Sequence, residues 1–263
     1  MTVFTGPAAI AQRAAFFSGR SGAIYQIGPY HLSPDDIEHG VLRANLPHPS
    51  QITAARTNNA TIPQGYFPDR DPRSALSLSR SSFDARIHFI LNCGAMSCPP
   101  IKVLTHHNAK EAMTLAASSY LMNEVSLRWM IDEDSASTND QAKVATNNKD
   151  DDDHHHPLAG VIYLPRLLLW YGSDFGSDLI SVMRRVVDML PQQSSVRLQL
   201  CDLLTSGTAV FYSDDDSSSS SAIHVNDDVD NNSSTVVEGE TCRRYFKVEY
   251  NSYDWSFNGS GDD

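Results

Sequence analysis

Residues 85–100 read ARIHFILNCGAMSCPP. Ile87, Phe89 and Leu91 alternate with His88, Ile90 and Asn92. That period of two predicts a strand with one apolar face. Gly94 then permits a backbone turn that a residue with a Cβ resists. Pro99 and Pro100 stop any helix or central strand from continuing. Residues 92–98 therefore read as a tight loop at the end of a buried strand. Polar groups at such a rim are held still by the scaffold beneath them, a usual place for a site.

The loop holds two of the four cysteines. One reading is a thiol site with Cys93 or Cys98 as nucleophile, a histidine as base and Asn92 as the orienting amide. His88 and Cys93 lie five positions apart, about 16 Å along an extended strand at ~3.3 Å per residue. A Cys–His pair therefore needs Cys98 folded back by the loop, or His39 brought in from elsewhere. The other readings are two buried structural cysteines and a Cys93–Cys98 disulfide, although the spacing is not the redox C-x-x-C motif.

The longer run DARIHFILNCGAMSCPPIKV resembles the signature of domain-of-unknown-function family 547. Three further stretches resemble other motifs of that family and come in its order: YQIGPYHLSPDDIEHGVLR, LPRLLLWYGSDFG and YNSYDWSFN. The resemblance covers roughly residues 16–258 apart from two insertions. It implies one domain with a pocket and assigns no reaction. Family members usually carry an upstream F-W-x-N-x-Y-N motif that nothing here matches, so the resemblance implies a chain truncated at its N-terminus relative to the family pattern. In plant relatives the domain is joined to leucine-zipper or redox domains, which implies an adaptor role in some members. Protein partners are therefore the ones to expect, and no heptads appear here.

Upstream, Ser33-Pro34-Asp35-Asp36 is a helix start: Ser33 caps, Pro34 suits the first position and Asp36 completes a capping box. The helix is predicted to run to Pro47 with Ile37 and Val41 on its buried face. Asp35, His39 and Arg43 fall at i, i+4 and i+8 and share another face. Asp35 can orient His39 as a general base while Arg43 clamps an anion. The plainer reading is a solvated charge stripe. Glu38 on this helix and Arg86 beside the central stretch complete the candidate binding residues.

Elsewhere the pattern predicts a strand at 24–27, a long ordered loop over 45–80, and a helix capped by Asn108 with Glu111 and running to about 123. A strand at 125–131 pairs as a hairpin with one at 161–164. A helix opens at Pro165, and its Trp170, Tyr171 and Phe175 read as core aromatics. Helices follow at 178–190 and 196–205, the second stopped by Gly207. Strands at 209–212 and 245–250 are expected to form a second hairpin.

The net charge of −12 is concentrated. Residues 132–156 carry −6 and residues 214–240 carry −8, which leaves the rest at +2. Insertions 132–158 and 213–241 thus read as disordered acidic loops at hairpin tips. His154, His155 and His156 in the first have nothing to fix a metal geometry. A nearly neutral core argues against nucleic acid as a partner. No run reaches the ~18 apolar residues of a membrane span. Four cysteines without a signal peptide fit a reducing compartment, the cytoplasm. No zinc-like pairing is visible, and no cofactor is assigned.

The fold expected is α+β: one domain over residues 1–263, core at about 16–258, with a small mixed or antiparallel sheet packed with helices. Two functions are carried forward. The first is a cysteine-dependent hydrolase or acyl transferase using Cys93 or Cys98, His88 or His39, and Asn92. The alternative is a non-catalytic protein-interaction module or a truncated inactive member.

Overall fold

Capping residues set the boundaries of most helices. The structure, a computed structural model, describes residues 7–130, 158–213, 223–224 and 243–256. The two expected acidic loops, with His154, His155 and His156, fall almost wholly outside the described residues. The fold is α+β and groups into two compact units, each assembled from separate stretches of chain.

The first unit takes residues 1–120, 166–175 and 252–263. It opens with helix α1 (Pro7–Phe17) and a hairpin of β1 (Tyr25–Ile27) and β2 (Tyr30–Leu32). Ser33 and Asp36 then make the predicted reciprocal cap: Asp36 N donates to Ser33 Oγ at 3.1 Å, and Ser33 N donates to Asp36 Oδ2 at 2.8 Å. The helix widens into a π-helical turn over Asp36–Leu42 and ends there, short of the expected Pro47. Arg43 N reaches back five residues to Glu38 O at 2.8 Å. Such turns re-aim side chains and often mark functional sites. The expected buried face is corrected: Ile37 and Val41 are half-buried, while His39 and Arg43 are 1 % exposed. The solvated-stripe reading of those two residues falls with it.

Residues 45–80 were expected as loop, yet they contain helix α2 (Pro49–Thr57). His48 caps it, a residue outside the usual Ser, Thr, Asp and Asn set. The central stretch is a second correction. Residues Ala85–Phe89 form a 3₁₀ turn, not a strand. Asp84 Oδ1 accepts from Arg86 N at 3.1 Å and starts the turn, and Ile87, His88 and Phe89 are all buried. Three consecutive buried side chains do not need the alternation of a strand. Helices α3 (Ala109–Glu124) and α4 (Arg166–Phe175) follow as predicted, and Tyr120 of α3 and Phe175 of α4 lie against Phe89.

Gly40 is buried, and a Cβ there would overlap the ring of Phe67, itself 3 % exposed. Gly40→Ala is expected to cost ~1–3 kcal/mol through overpacking. A fall in thermal unfolding midpoint relative to wild type checks it.

The second unit, residues 121–165 and 176–251, holds a five-stranded sheet. Its strands are β3 (Ser126–Trp129), β4 (Leu158–Leu164), β5 (Ala209–Tyr212), β6 (Ile223–His224) and β7 (Arg244–Tyr250), in the order β3-β4-β7-β5-β6. The β3–β4 pair is antiparallel, with Leu127 opposite Ile162, as the hairpin reading expected. β5 and β7 are parallel, which corrects the second hairpin. β6 pairs antiparallel on the outer side of β5. Helices α5 (Leu179–Met189) and α6 (Ser195–Thr205) start at Asp178 and Ser194 caps.

Candidate functional site

The candidate side chains of the first unit form two groups. The thiol group is built by Asn92. Its Oδ1 accepts from Gly94 N at 2.7 Å and its Nδ2 donates to Pro99 O at 2.7 Å. The amide thus ties the two ends of the loop together. Gly94 turns the chain at φ +81°. The closed loop sets Cys93 Sγ 3.1 Å from Cys98 Sγ, and Cys93 N donates to Cys98 Sγ at 3.2 Å. Both thiols are free.

The C-terminal segment completes this group. Met96 N donates to Ser256 O at 2.9 Å, and Asp254 N donates to Ser97 Oγ at 2.8 Å. Arg13 of α1 donates to the carbonyls of Gly94, Trp255 and Ser256. The strap lays Tyr253 on the thiols, its hydroxyl 3.1 Å from Cys98 Sγ and 3.9 Å from Cys93 Sγ. Trp170 and Trp255 pack on the Tyr253 ring, with centroids 4.9 and 4.6 Å away.

The donors fall unequally on the two sulfurs. The Cys93 thiol, the Tyr253 hydroxyl and the backbone N–H groups of Cys93 and Ala95 outweigh burial and pull the Cys98 thiol down to about 5. Its hydrogen bond to Cys98, then burial, push the Cys93 thiol up. The arrangement favours negative charge on Cys98 and the proton on Cys93.

The second group is buried and polar. Asp174 of α4 has no exposed side-chain surface. Arg43 Nε donates to its Oδ2 at 2.7 Å and Arg43 Nη2 to its Oδ1 at 2.9 Å, a two-pronged pair. His88 Nε2 lies 2.8 Å from the same Oδ2. Burial alone would raise the Asp174 carboxyl; the hydrogen bonds from His88 and Arg43 and the guanidinium charge hold it below the ordinary value. An ionised carboxylate only accepts, so His88 donates from Nε2. Tyr171 stacks on His88 at 3.9 Å and donates its hydroxyl to Glu38 Oε1 at 2.8 Å.

Arg43 Nη1 also contacts His39 Nδ1 at 2.8 Å and donates to Pro47 O at 3.0 Å. Burial, then the neighbouring His48, Arg43 and His88, push His39 down to about 2, so it stays neutral. Asp35 is pushed up to about 6 by burial and by Glu38 and Asp36. Arg86 stands outside both groups, forked onto Asp84 and donating to Thr114 Oγ1 at 2.6 Å.

Residues 2–121 match the family model described as protein of unknown function, DUF547. The match supports a DUF547 domain within residues 2–121 of the chain. No curated protein and no solved structure matches it. The matched stretch of the DUF547 chain carries Cys93, Cys98, His39, Arg43 and His88, and stops short of Tyr171, Asp174 and Tyr253.

Asp35, His39 and His48 each bring a potential ligand atom within 4.8 Å of the others. Their hydrogen bonds do not fit a metal. Arginine and backbone amides only donate, so His39 Nδ1 accepts from Arg43 and His48 Nδ1 accepts from Ser50 N at 3.0 Å. In both neutral rings the proton then sits on Nε2. Such rings donate from Nε2; they do not ligate from it.

The structure brings Cys93, Cys98 and Asn92 together, and separately His39, His88, Arg43 and Glu38, with Asp35 beside them. Among the described residues the polar partners of the two sulfurs are each other, Tyr253 and backbone amides, not a histidine. Sequence reasoning passed over Asp174, Tyr171, Tyr253 and His48. Asp174 had a signal: it is the one acid in α4, two turns on from the buried Leu167 and adjoining the buried Phe175.

Proposed function

We propose that the DUF547 chain is a cysteine-dependent enzyme, a hydrolase or acyl transferase, with Cys98 as its nucleophile. The observation that carries the reading is the set of polar contacts on one sulfur: the Cys93 amide donates to Cys98 Sγ at 3.2 Å, and the Cys93 sulfur and the Tyr253 hydroxyl each lie 3.1 Å from it. A thiol ionised by its surroundings does not wait for a histidine base. Cys98 Sγ attacks the acyl carbon, and the leaving group departs with the proton held by Cys93. Water or another acceptor then takes the acyl group from the thioester and returns a proton to Cys93. Asn92 holds the loop closed. His39 and His88, with Arg43 and Glu38, belong to the buried group that supports the loop from the 3₁₀ turn.

The alternative, a protein-interaction module, draws on Ile101 and Val103, which follow the loop and are 80 % and 88 % exposed. Site-resolved alkylation of the native protein with iodoacetamide between pH 4.5 and 9 separates the two. The catalytic reading expects a Cys98 rate with its midpoint near the thiol's value of about 5 and flat from pH 7 upward. It also expects that rate to vanish in Cys98→Ser. A rate that climbs through the ordinary thiol value of ~8.5, or thiols inert until unfolding, overturns it and favours the module.

A further inference from the structure

We propose that Cys93 and Cys98 form a redox-active dithiol that reduces disulfide substrates, with Cys98 as the attacking sulfur and Cys93 as the resolving one. The inference rests on the reading of Cys98 as the nucleophile and adds a substrate class to that site. Acyl transfer uses the second sulfur only as a proton carrier, a task that does not require sulfur. This loop spends Asn92, Gly94 and two prolines on holding a second sulfur 3.1 Å from the first. That separation is about 1 Å longer than the ~2.05 Å of a disulfide bond, so only a small movement closes the pair. The two sulfurs are also differentiated as exchange requires. Cys98 Sγ accepts from the Cys93 amide and has the nearer contact to the Tyr253 hydroxyl, 3.1 Å against 3.9 Å for Cys93 Sγ. The donor arrangement, not exposure, sets this order of attack, since Cys93 is the more exposed sulfur and Cys98 is 9 % exposed. The exposed Met96 lies between them in the chain.

The reaction balances within the site and its substrate. The Cys98 thiolate attacks one sulfur of R–S–S–R′, forming the mixed disulfide Cys98–S–S–R and expelling R′S⁻. That thiolate takes the Cys93 proton and leaves as R′SH. The Cys93 thiolate then attacks Cys98 Sγ, closing the Cys93–Cys98 disulfide and releasing RS⁻. Two electrons pass from the dithiol to the substrate. A dithiol reductant of any source resets the pair by the reverse exchange.

The test uses full-length protein carrying Cys201→Ser and Cys242→Ser, so that only the loop cysteines remain, treated with excess 5,5′-dithiobis(2-nitrobenzoate), an aromatic disulfide. The expected result is two nitrothiobenzoate ions released per chain and an intact mass lower by two hydrogens, with no adduct. Adding Cys93→Ser is expected to leave one ion released and one adduct, on Cys98. The mass readout on the protein with both loop cysteines decides the matter even if the Cys93→Ser variant folds poorly. An adduct that persists on Cys98 while Cys93 is present, or adducts on both sulfurs, overturns the dithiol proposal. If Cys98 also alkylates with the low midpoint, its nucleophile reading survives that failure. If native Cys98 takes up neither reagent, both fall.

Discussion

Asp174→Ala is expected to cost the first unit ~3–5 kcal/mol of stability, a large fraction of the ~5–15 kcal/mol that a domain has. The carboxylate accepts three hydrogen bonds, two from Arg43 and one from His88, and all three side chains are 1 % exposed or less. A buried ion pair is weak evidence of net stabilisation, because taking both charges out of water is costly. Removing one partner is a different matter. In Asp174→Ala the Arg43 guanidinium stays buried with only Pro47 O and His39 Nδ1 to accept from it, and neither carries charge. Arginine does not escape by losing its proton. His88 also loses its acceptor, so its stack on Tyr171 loosens. Urea unfolding at pH 7 checks this, using a probe within the first unit because the chain has two units and need not unfold in one step. A midpoint close to wild type would mean that water reaches Arg43 and that the pair is not a structural centre.

How much of this was legible in the sequence depended on how local each interaction is. Ser33 with Asp36, Asp178 before α5, and Gly207 after α6 act within a few residues, and each boundary was read correctly. Spacing also placed His39 and Arg43 on one helix face, and they do touch. Their burial was not legible, because the acid that makes it tolerable lies 131 residues away from Arg43. Tyr253 reaches Cys98 across 155 residues, and no local pattern announces that. The 85–92 stretch misled for a different reason. Its alternation of large apolar residues suits a strand, yet Asp84 starts a 3₁₀ turn and Asp174 supplies the partner that lets His88 be buried between Ile87 and Phe89. The parallel β5–β7 pair was missed because neighbours in sequence suggest a hairpin, whereas parallel strands need a long crossover.

Arg43→Met is expected to cost a similar ~3–5 kcal/mol at pH 7 and, unlike the loss of Asp174, to reverse the sign of the Asp174 contribution to the pH dependence of stability. In wild type the Asp174 carboxyl is held below its ordinary value. Its contribution is therefore present above ~3.9 and is lost as acid takes the pH down through the lower folded value. Without the guanidinium, burial, already the largest influence on Asp174, has only His88 opposing it. The carboxyl then rises above ~3.9, and the folded variant binds a proton that the unfolded chain does not. Stability is then greatest below the unfolded value and falls as pH rises through the folded one, by at most ~1.4 kcal/mol per pH unit. Asp35, raised to about 6, also weakens the fold on going from acid to neutral pH, but it does so in both proteins. The quantity to measure is therefore the difference in unfolding free energy between wild type and variant at pH 5 and at pH 7.5. The gap should narrow at pH 5, because the variant recovers part of its loss there. A gap equal at the two values would mean that Arg43 acts through its packing volume, and that Asp174 is neutralised by something other than the guanidinium.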